Sequence, residues 1–471
     1  MTSLATARSG RAGRAVRFAA AAAAALLVPV AGVAADPPAA TATDTTAPDT
    51  AAPPITTDVG SPNFALHAQS TFVEQATDSF RSPYAGPNSL SPHIGRETFD
   101  ASLFAGWRPW RGAQVWIEPE IDQGFGLDGT VGAAGFPSGE AYKVGQRRPY
   151  LRWQRAFFRD TLDLGGAAVD VPADATQLPE HVTTNRLVFT IGKFSVTDLF
   201  DTNAYAHDPR VDFLNWSMID ASTFDYAADA WGYSVGAALE WYEGRWTLRG
   251  GVFDLSTVPN SAHLDPGAHE FQMVAEIDRH EHWFGRAGRV SLTAFQSRAR
   301  MGLLDAAVQL AGSTGTPIDI AAVRQYRGRF GASLAIEQSV ADGVGVFARI
   351  GKAAGNVETY EFTDADRSVS AGVSIDGARW RRPGDTLGAG VAVNGISAAR
   401  ERFLAAGGLG LLVGDWRLPH PGAEQILETY YSAAIGGHAH VALDYQRIVN
   451  PGYNRDRGPV SVFALRLHVA Y

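Results

Sequence analysis

Gly232-Tyr233-Ser234-Val235-Gly236-Ala237-Ala238-Leu239-Glu240-Trp241-Tyr242-Glu243-Gly244-Arg245-Trp246-Thr247-Leu248-Arg249-Gly250-Gly251-Val252 reads as two strands joined by a turn. Tyr233, Val235, Ala237, Leu239 and Trp241 alternate with Gly232, Ser234, Gly236, Ala238 and Glu240. After a two-residue turn placed at Glu243-Gly244, Trp246, Leu248, Gly250 and Val252 resume the alternation. Successive strand side chains point to opposite faces, so the stretch describes a sheet with one apolar and one polar face.

The same period recurs along the chain. Val115, Ile117 and Ile121 oppose Glu118 and Glu120, and Phe463, Leu465, Leu467, Val469 and Tyr471 share the last apolar face. Sixteen such segments fall at 64–72, 99–107, 113–121, 150–157, 186–194, 232–242, 245–255, 269–278, 289–299, 328–337, 344–351, 367–376, 386–394, 424–435, 438–448 and 461–471. Alternation alone does not separate a soluble sandwich from a membrane barrel. The connections do: short ones such as 243–244 and 436–437 alternate with long ones such as 195–231 and 395–423. Short inner turns and long outer loops are the signature of an outer-membrane barrel. The fold expected is therefore all-β, a transmembrane antiparallel barrel of about sixteen strands over residues 61–471. The connection 158–185 falls on the short-turn side yet is long, which implies an extended strand plus an insertion. Trp107, Trp110, Trp241, Tyr242, Trp246, Trp283, Phe284, Trp380 and Tyr471 gather at the short turns, where an interfacial girdle belongs.

Composition agrees. Charged residues are 19% of the 471, below the ~25% of soluble domains. Cysteine is absent, which removes disulfide frameworks, thiolate metal sites and thiol nucleophiles. The net charge of −9 argues against a nucleic-acid partner. Arg8, Arg11, Arg14 and Arg17 precede an apolar run from Phe18 to Val30 and the small residues Val33-Ala34-Ala35. That layout is a cleaved export signal over 1–35, and the Pro/Thr/Ala-rich 36–60 reads as a disordered leader. Export and a barrel together place the chain in the outer membrane of a Gram-negative bacterium. Lipid and lipopolysaccharide would surround it there, and an aromatic last residue, Tyr471, suits the barrel-assembly machinery.

Gly192-Lys193-Phe194-Ser195-Val196-Thr197-Asp198-Leu199-Phe200-Asp201-Thr202-Asn203-Ala204-Tyr205-Ala206-His207-Asp208-Pro209-Arg210, followed by Phe213-Leu214-Asn215-Trp216, resembles the signature region of the OprB-like carbohydrate-selective porins. Phe224 to Tyr233, Pro421 to Tyr431 and Asn450 to Val460 add to the similarity, which covers roughly residues 60–471. The resemblance implies a sixteen-stranded barrel through which neutral sugars diffuse without an energy source, a cofactor or a catalytic residue. Glucose-like monosaccharides or small polyols are the solutes expected, with a general or differently selective porin as the alternative and an outer-membrane hydrolase or adhesin behind both. A homo-oligomer and a monomer fit the sequence equally.

A sixteen-stranded barrel leaves a wide aqueous channel, so selection needs a narrowing. The longest external connection, 195–231, is the candidate constriction, and Asp198, Asp201, Asn203, His207, Asp208, Arg210 and Trp216 are its candidate pore-lining residues. Asp198, Asp201, Asp208, Asp225 and Asp229 can equally brace the loop through turn hydrogen bonds. Strand parity adds Glu118, Glu120, Arg152, Glu240, Arg249, Arg349, Glu428 and Arg466 on the lumen face. Glu240 and Arg249 should be diagonal neighbours across their hairpin. Inward charges of both signs cancel the field and admit neutral solutes. Two catalytic and metal alternatives are weaker. Glu118 and Glu120 resemble a glycosidase pair but lack unequal environments, and His280-x-His282 and His438-x-His440 show no third ligand.

Overall fold

The computed structural model describes residues 63–471. The export signal at 1–35 and the leader at 36–60 lie outside the described residues. Sixteen strands form one closed antiparallel barrel. They are β1 (Phe64–Thr77), β2 (Gly95–Trp107), β3 (Ala113–Gly124), β4 (Gln146–Val171), β5 (Glu180–Phe194), β6 (Ser234–Glu243), β7 (Trp246–Asp254), β8 (Phe271–Trp283), β9 (Arg286–Met301), β10 (Gln325–Ala341), β11 (Val344–Ala353), β12 (Arg367–Asp376), β13 (Thr386–Gly395), β14 (Glu424–Ile435), β15 (Ala439–Val449) and β16 (Val460–Ala470). Each pairs with its neighbour in sequence, and β1 closes on β16 with Thr71 opposite His468. Closure leaves no sheet edge, as a spanning sheet requires.

Burial is inverted relative to a soluble protein. On β3 the apolar Ile117 and Ile121 are exposed, while Glu118, Glu120 and Asp122 are buried. On β16 Phe463, Leu465 and Leu467 are exposed, while Arg466 and His468 are buried. Apolar side chains stable outside and charges stable inside require lipid around the wall and a polar filling within it. Trp107, Trp110, Trp241, Trp246, Phe284 and Tyr471 are exposed around the short-turn end, where ring faces suit the bilayer interface.

The β6–β7 hairpin differs from the expected one in its turn and in one cross-strand pair. The tight turn is Gly244-Arg245, because Glu243 still pairs with Trp246. Glu240 therefore sits directly opposite Arg249, not diagonal to it. The strand count and inward parity are unaffected, because a two-residue loop moved by one position shifts both strands together.

Bulges interrupt several ladders, and one of them breaks the inward alternation of β4. Between Glu118 and Pro119 the ladder with β4 slips, so that Glu118 faces Arg155 and Pro119 faces Trp153. Proline has no N–H for a ladder, and a bulge absorbs it. Gln154 is the extra residue, and Gln154 and Arg155 both turn their polar ends inward.

The belt predicts a depth-dependent penalty. Leu443, 66% exposed on β15, replaced by Arg should destabilise the barrel by about 2–4 kcal/mol if it lies near the bilayer midplane. Denaturant titration of the refolded barrel in lipid vesicles checks this, with the inward Ala442→Ser as a control expected to change stability far less.

Candidate constriction and solute path

The third external connection lies inside the barrel. Beyond β5, Ser195 and Asp198 form a capping box around a short turn that starts the chain inward. Local carboxylate and amide caps then shape each bend. Asn203 Oδ1 accepts the Tyr205 N–H at 2.9 Å, Asp208 Oδ1 accepts the Arg210 N–H at 2.9 Å, and Asn215 Oδ1 accepts the Ser217 N–H at 2.9 Å to open the helical turn Trp216–Ile219. Residues 213–230 are buried throughout. The close approach needs room: a Cβ on Gly345 of β11 would overlap the Tyr205 ring.

Wall side chains hold the loop by its backbone. Arg349 donates to the carbonyls of Met218 at 2.7 Å, Ala206 at 2.8 Å and Ile219 at 3.0 Å. Arg466 donates to the carbonyls of Pro209 at 2.5 Å and Asp212 at 2.8 Å. Glu428 accepts the N–H groups of Leu214 at 2.6 Å and Asn215 at 3.1 Å. Glu276 accepts the Asp201 N–H at 2.7 Å, and the Asp201 carboxylate in turn accepts from Ala221 N–H at 2.5 Å. Arg155 forks onto Asp198 at 2.8 and 2.5 Å and reaches Glu118 at 2.5 Å. Asp229 receives Lys193 at 2.9 Å and Arg152 at 3.3 Å, and the Arg152 guanidinium lies 3.5 Å from the Trp231 ring centre. Asp225 accepts from Arg329 of β10 at 3.0 Å and from the Tyr360 and Glu361 N–H groups at 2.8 Å, tying the third loop to the sixth.

Arg210 is held differently. Its guanidinium hangs between Asp100 of β2 at 3.9 Å, Glu120 of β3 at 3.7 Å, Glu140 of the second external loop at 3.7 Å and Asp208 at 3.7 Å. Each contact is longer than a hydrogen bond. Arg210 Nε is buried without a hydrogen-bond partner, and the Asp100 and Glu140 carboxyls hydrogen-bond to each other. Burial raises the Glu140 carboxyl above its usual range, against the opposing pull of the Arg210 charge. Glu120 is anchored by Ser102 at 2.6 Å and Gln154 at 2.8 Å. Asp100, Glu120 and Glu140 are buried behind it, while Arg210 keeps 16% and Asp208 44% of the side chain exposed, so the cluster meets solvent on that side.

Three further groups lie elsewhere on the wall and the loop. Arg249 joins Glu240 at 2.9 Å, Glu276 at 2.8 Å and Asp278. Trp216 stacks on Phe136 with ring centres 5.0 Å apart and meets Tyr226 and Phe362 at 5.6 and 5.8 Å. His207 Nδ1 stands 3.6 Å from the Asp220 carboxylate.

Of the residues expected from sequence, Glu120, Asp208 and Arg210 thus meet in one cluster. Arg349, Glu428 and Arg466 lie on the lumen wall, but the loop's backbone occupies their polar atoms. Sequence reading missed Asp100, Glu140 and Arg155. Parity could have given Asp100, since it alternates with Phe99 and Ala101. Nothing local marked Glu140, and the bulge hid Arg155.

The family model described as "Carbohydrate-selective porin, OprB family" matches residues 95–471. Among solved structures the chain is similar to the high-pH structure of Pseudomonas putida OprB, at 14% identity and TM-score 0.64, over 87% of this chain and 94% of that one. The Acinetobacter baumannii outer-membrane channel DcaP aligns at 10% identity and TM-score 0.48, over 87% and 97% of the two chains. Curated protein sequences give no match.

Two predictions test the grip on the loop. Arg349→Met leaves at least three loop carbonyls without their donor, so packing should weaken by about 3–5 kcal/mol, the usual cost of breaking a buried charged contact. Faster proteolytic cleavage within 200–225 of the still-folded barrel is the readout. The second concerns pH. Burial raises the Asp212 carboxyl to about 6, with Asp208 adding to the rise and the His207 N–H opposing it. A raised acid favours the packed loop while protonated; that contribution is full below the ordinary aspartate range and lost as pH rises through about 6. Single-channel current noise should therefore grow from about pH 4 to about pH 7 and level off above that, and Asp212→Asn should flatten the change.

Proposed function

The chain belongs to the OprB family of carbohydrate-selective porins, and on that basis we propose how it selects its solutes. It is an outer-membrane channel for carbohydrates in a Gram-negative bacterium, not an enzyme. We assign the sugar-facing part of the constriction to Arg210 and the carboxylates around it. The observation that carries this is the spacing of 3.7–3.9 Å between one guanidinium and Asp100, Glu120, Glu140 and Asp208.

A sugar hydroxyl both donates and accepts. Lodged in such a gap, it can accept from the Arg210 fork and donate to a carboxylate, replacing two water contacts at once. The guanidinium stays charged at any physiological pH, so the donor is permanent. A fully charged solute meets a like charge on one side or the other, whereas a neutral polyol meets none. Glucose-like monosaccharides and small polyols are the solutes this arrangement fits. Glu118, Arg152, Asp198, Asp201, Asn203, His207, Arg349, Glu428 and Arg466 serve the site by fixing the loop that carries Arg210. Trp216 and its ring neighbours back the loop, and Glu240 with Arg249 lines the inner side. We further assign the exposed apolar belt to lipid and lipopolysaccharide, the terminal Tyr471 to the assembly machinery, and a complete pore to each single barrel, whether or not barrels associate.

Single-channel recording of the refolded mature chain tests this reading. Open-channel current should fall saturably as glucose is added. Arg210→Ala should raise the half-blocking glucose concentration about tenfold, the loss expected for one charge-assisted hydrogen bond, and shift ion preference toward cations. A steady current changed only by bulk viscosity would favour a differently selective porin.

A further inference from the structure

The β4–β5 hairpin departs from the other inner turns. The barrel rim is reached where Thr161 N–H donates to Gly112 carbonyl at 2.8 Å and Arg186 pairs with Tyr242. Beyond that rim β4 runs on to Val171 and β5 begins only at Glu180. An isolated two-stranded ribbon is marginal in water, and this one does not stand free. Its register slips on both sides of Gly165, where Gly165 and Gly166 take φ of 122° and 95°, a backbone that a side chain would strain.

The bent ribbon returns to the mouth of the barrel. Leu178, 1% exposed, joins the interior apolar cluster, and its N–H donates to Gln114 Oε1 of β3 at 2.9 Å. Arg159 Nη1 donates to the Thr176 carbonyl at 3.2 Å and to Gln177 Oε1 at 3.0 Å. Arg108 Nη2 donates to the Pro179 carbonyl at 2.7 Å. These contacts fasten the tip to β3, β4 and the neighbouring turn.

Between the tip, the wall and the third loop lies a cavity of about 200 Å³, lined by Arg159, Gln177, Glu180, Arg186, Glu240 and Tyr242 among others. The Arg186 guanidinium covers the Tyr242 ring at 3.9 Å. The Glu180 side chain is 7% exposed and its Oε1, 3.8 Å from Arg108, has no hydrogen-bond partner. Donors and acceptors of both charges surround a space that one monosaccharide can enter.

We propose that the hairpin 164–185 is a lid on the inner mouth that closes over a second subsite for a neutral polyhydroxylated solute. A sugar leaving the Arg210 cluster is held there once more before release. The ligand rests on the sugar-channel reading; the lid does not.

The test replaces residues 168–183 of the full mature chain by Asn-Gly and records single channels in potassium chloride, with glucose as the probe on the inner side. Conductance should rise at least about twofold, and the half-blocking concentration of inner-side glucose about tenfold, equivalent to ~1.4 kcal/mol. Unchanged conductance in a folded truncated barrel overturns the lid. Raised conductance with unchanged glucose affinity overturns the subsite. No glucose effect on the native channel overturns the sugar reading and the subsite together, while raised conductance on truncation still supports the lid. Should the truncated chain not fold, Leu178→Asp keeps every strand and forces the tip off its buried contact, with the same outcomes expected.

Discussion

The structure depends on wall side chains that satisfy the backbone of a loop packed inside the barrel. A buried loop carries N–H and C=O groups that no ladder pairs, and leaving them bare is costly. Here charged wall residues take that role. Arg349 and Arg466 supply donors to carbonyls, and Glu428 and Glu276 supply acceptors to N–H groups. Each such residue is itself buried and would be costly alone. Loop and wall therefore solve each other's problem: the loop neutralises inward charges, and the charges make an inward loop stable. The same logic ties in the second loop, whose Ala134 and Gly135 N–H groups donate to Glu424.

Arg210 marks where that mutual satisfaction stops. It sits on the held loop, yet its guanidinium is suspended among carboxylates rather than bonded to one. A channel cannot bind its solute through groups already consumed by the scaffold. The division of labour is thus between saturated charges that position and unsaturated ones that face the path. Fast diffusion also favours weak, replaceable contacts over deep ones. A gap a hydroxyl or a water can fill in turn provides that.

The inner end adds a second element to this path. Six of the seven inner connections do no more than reverse the chain, while the one after β4 is a long hairpin whose tip returns to β3. Its bend falls at paired glycines, where backbone freedom is greatest, and its tip is held by polar contacts to Gln114, Arg159 and Arg108. The Arg108 contact is exposed and the Arg159 contact half-buried, whereas the Gln114 contact is buried. The third loop and the hairpin thereby act in series on one path, the first rigid and the second fastened at its edge.

Period-two alternation gave the strands, and alternating long and short connections gave the barrel, because a spanning sheet needs short inner turns and long outer loops. Long and short connections gave the two ends, and parity placed Glu118, Glu120, Glu240, Arg349, Glu428 and Arg466 inward, where the structure has them. The family signature pointed to the third loop. What each inward residue does was not legible, because that depends on which distant backbone atom comes to rest beside it. Arg349 meets Met218 across 131 positions, and Arg210 meets Asp100 and Glu140 from separate elements. Arg155 was hidden by a one-residue bulge that turned it from the lipid side to the lumen. The course of the long β4–β5 connection was likewise undecided, since a hairpin that projects and one that folds back share the same local pattern. Alternation is a property of neighbours and survives in one dimension; the pairing of a loop with a wall is a property of the closed barrel, and only the tertiary structure could decide it.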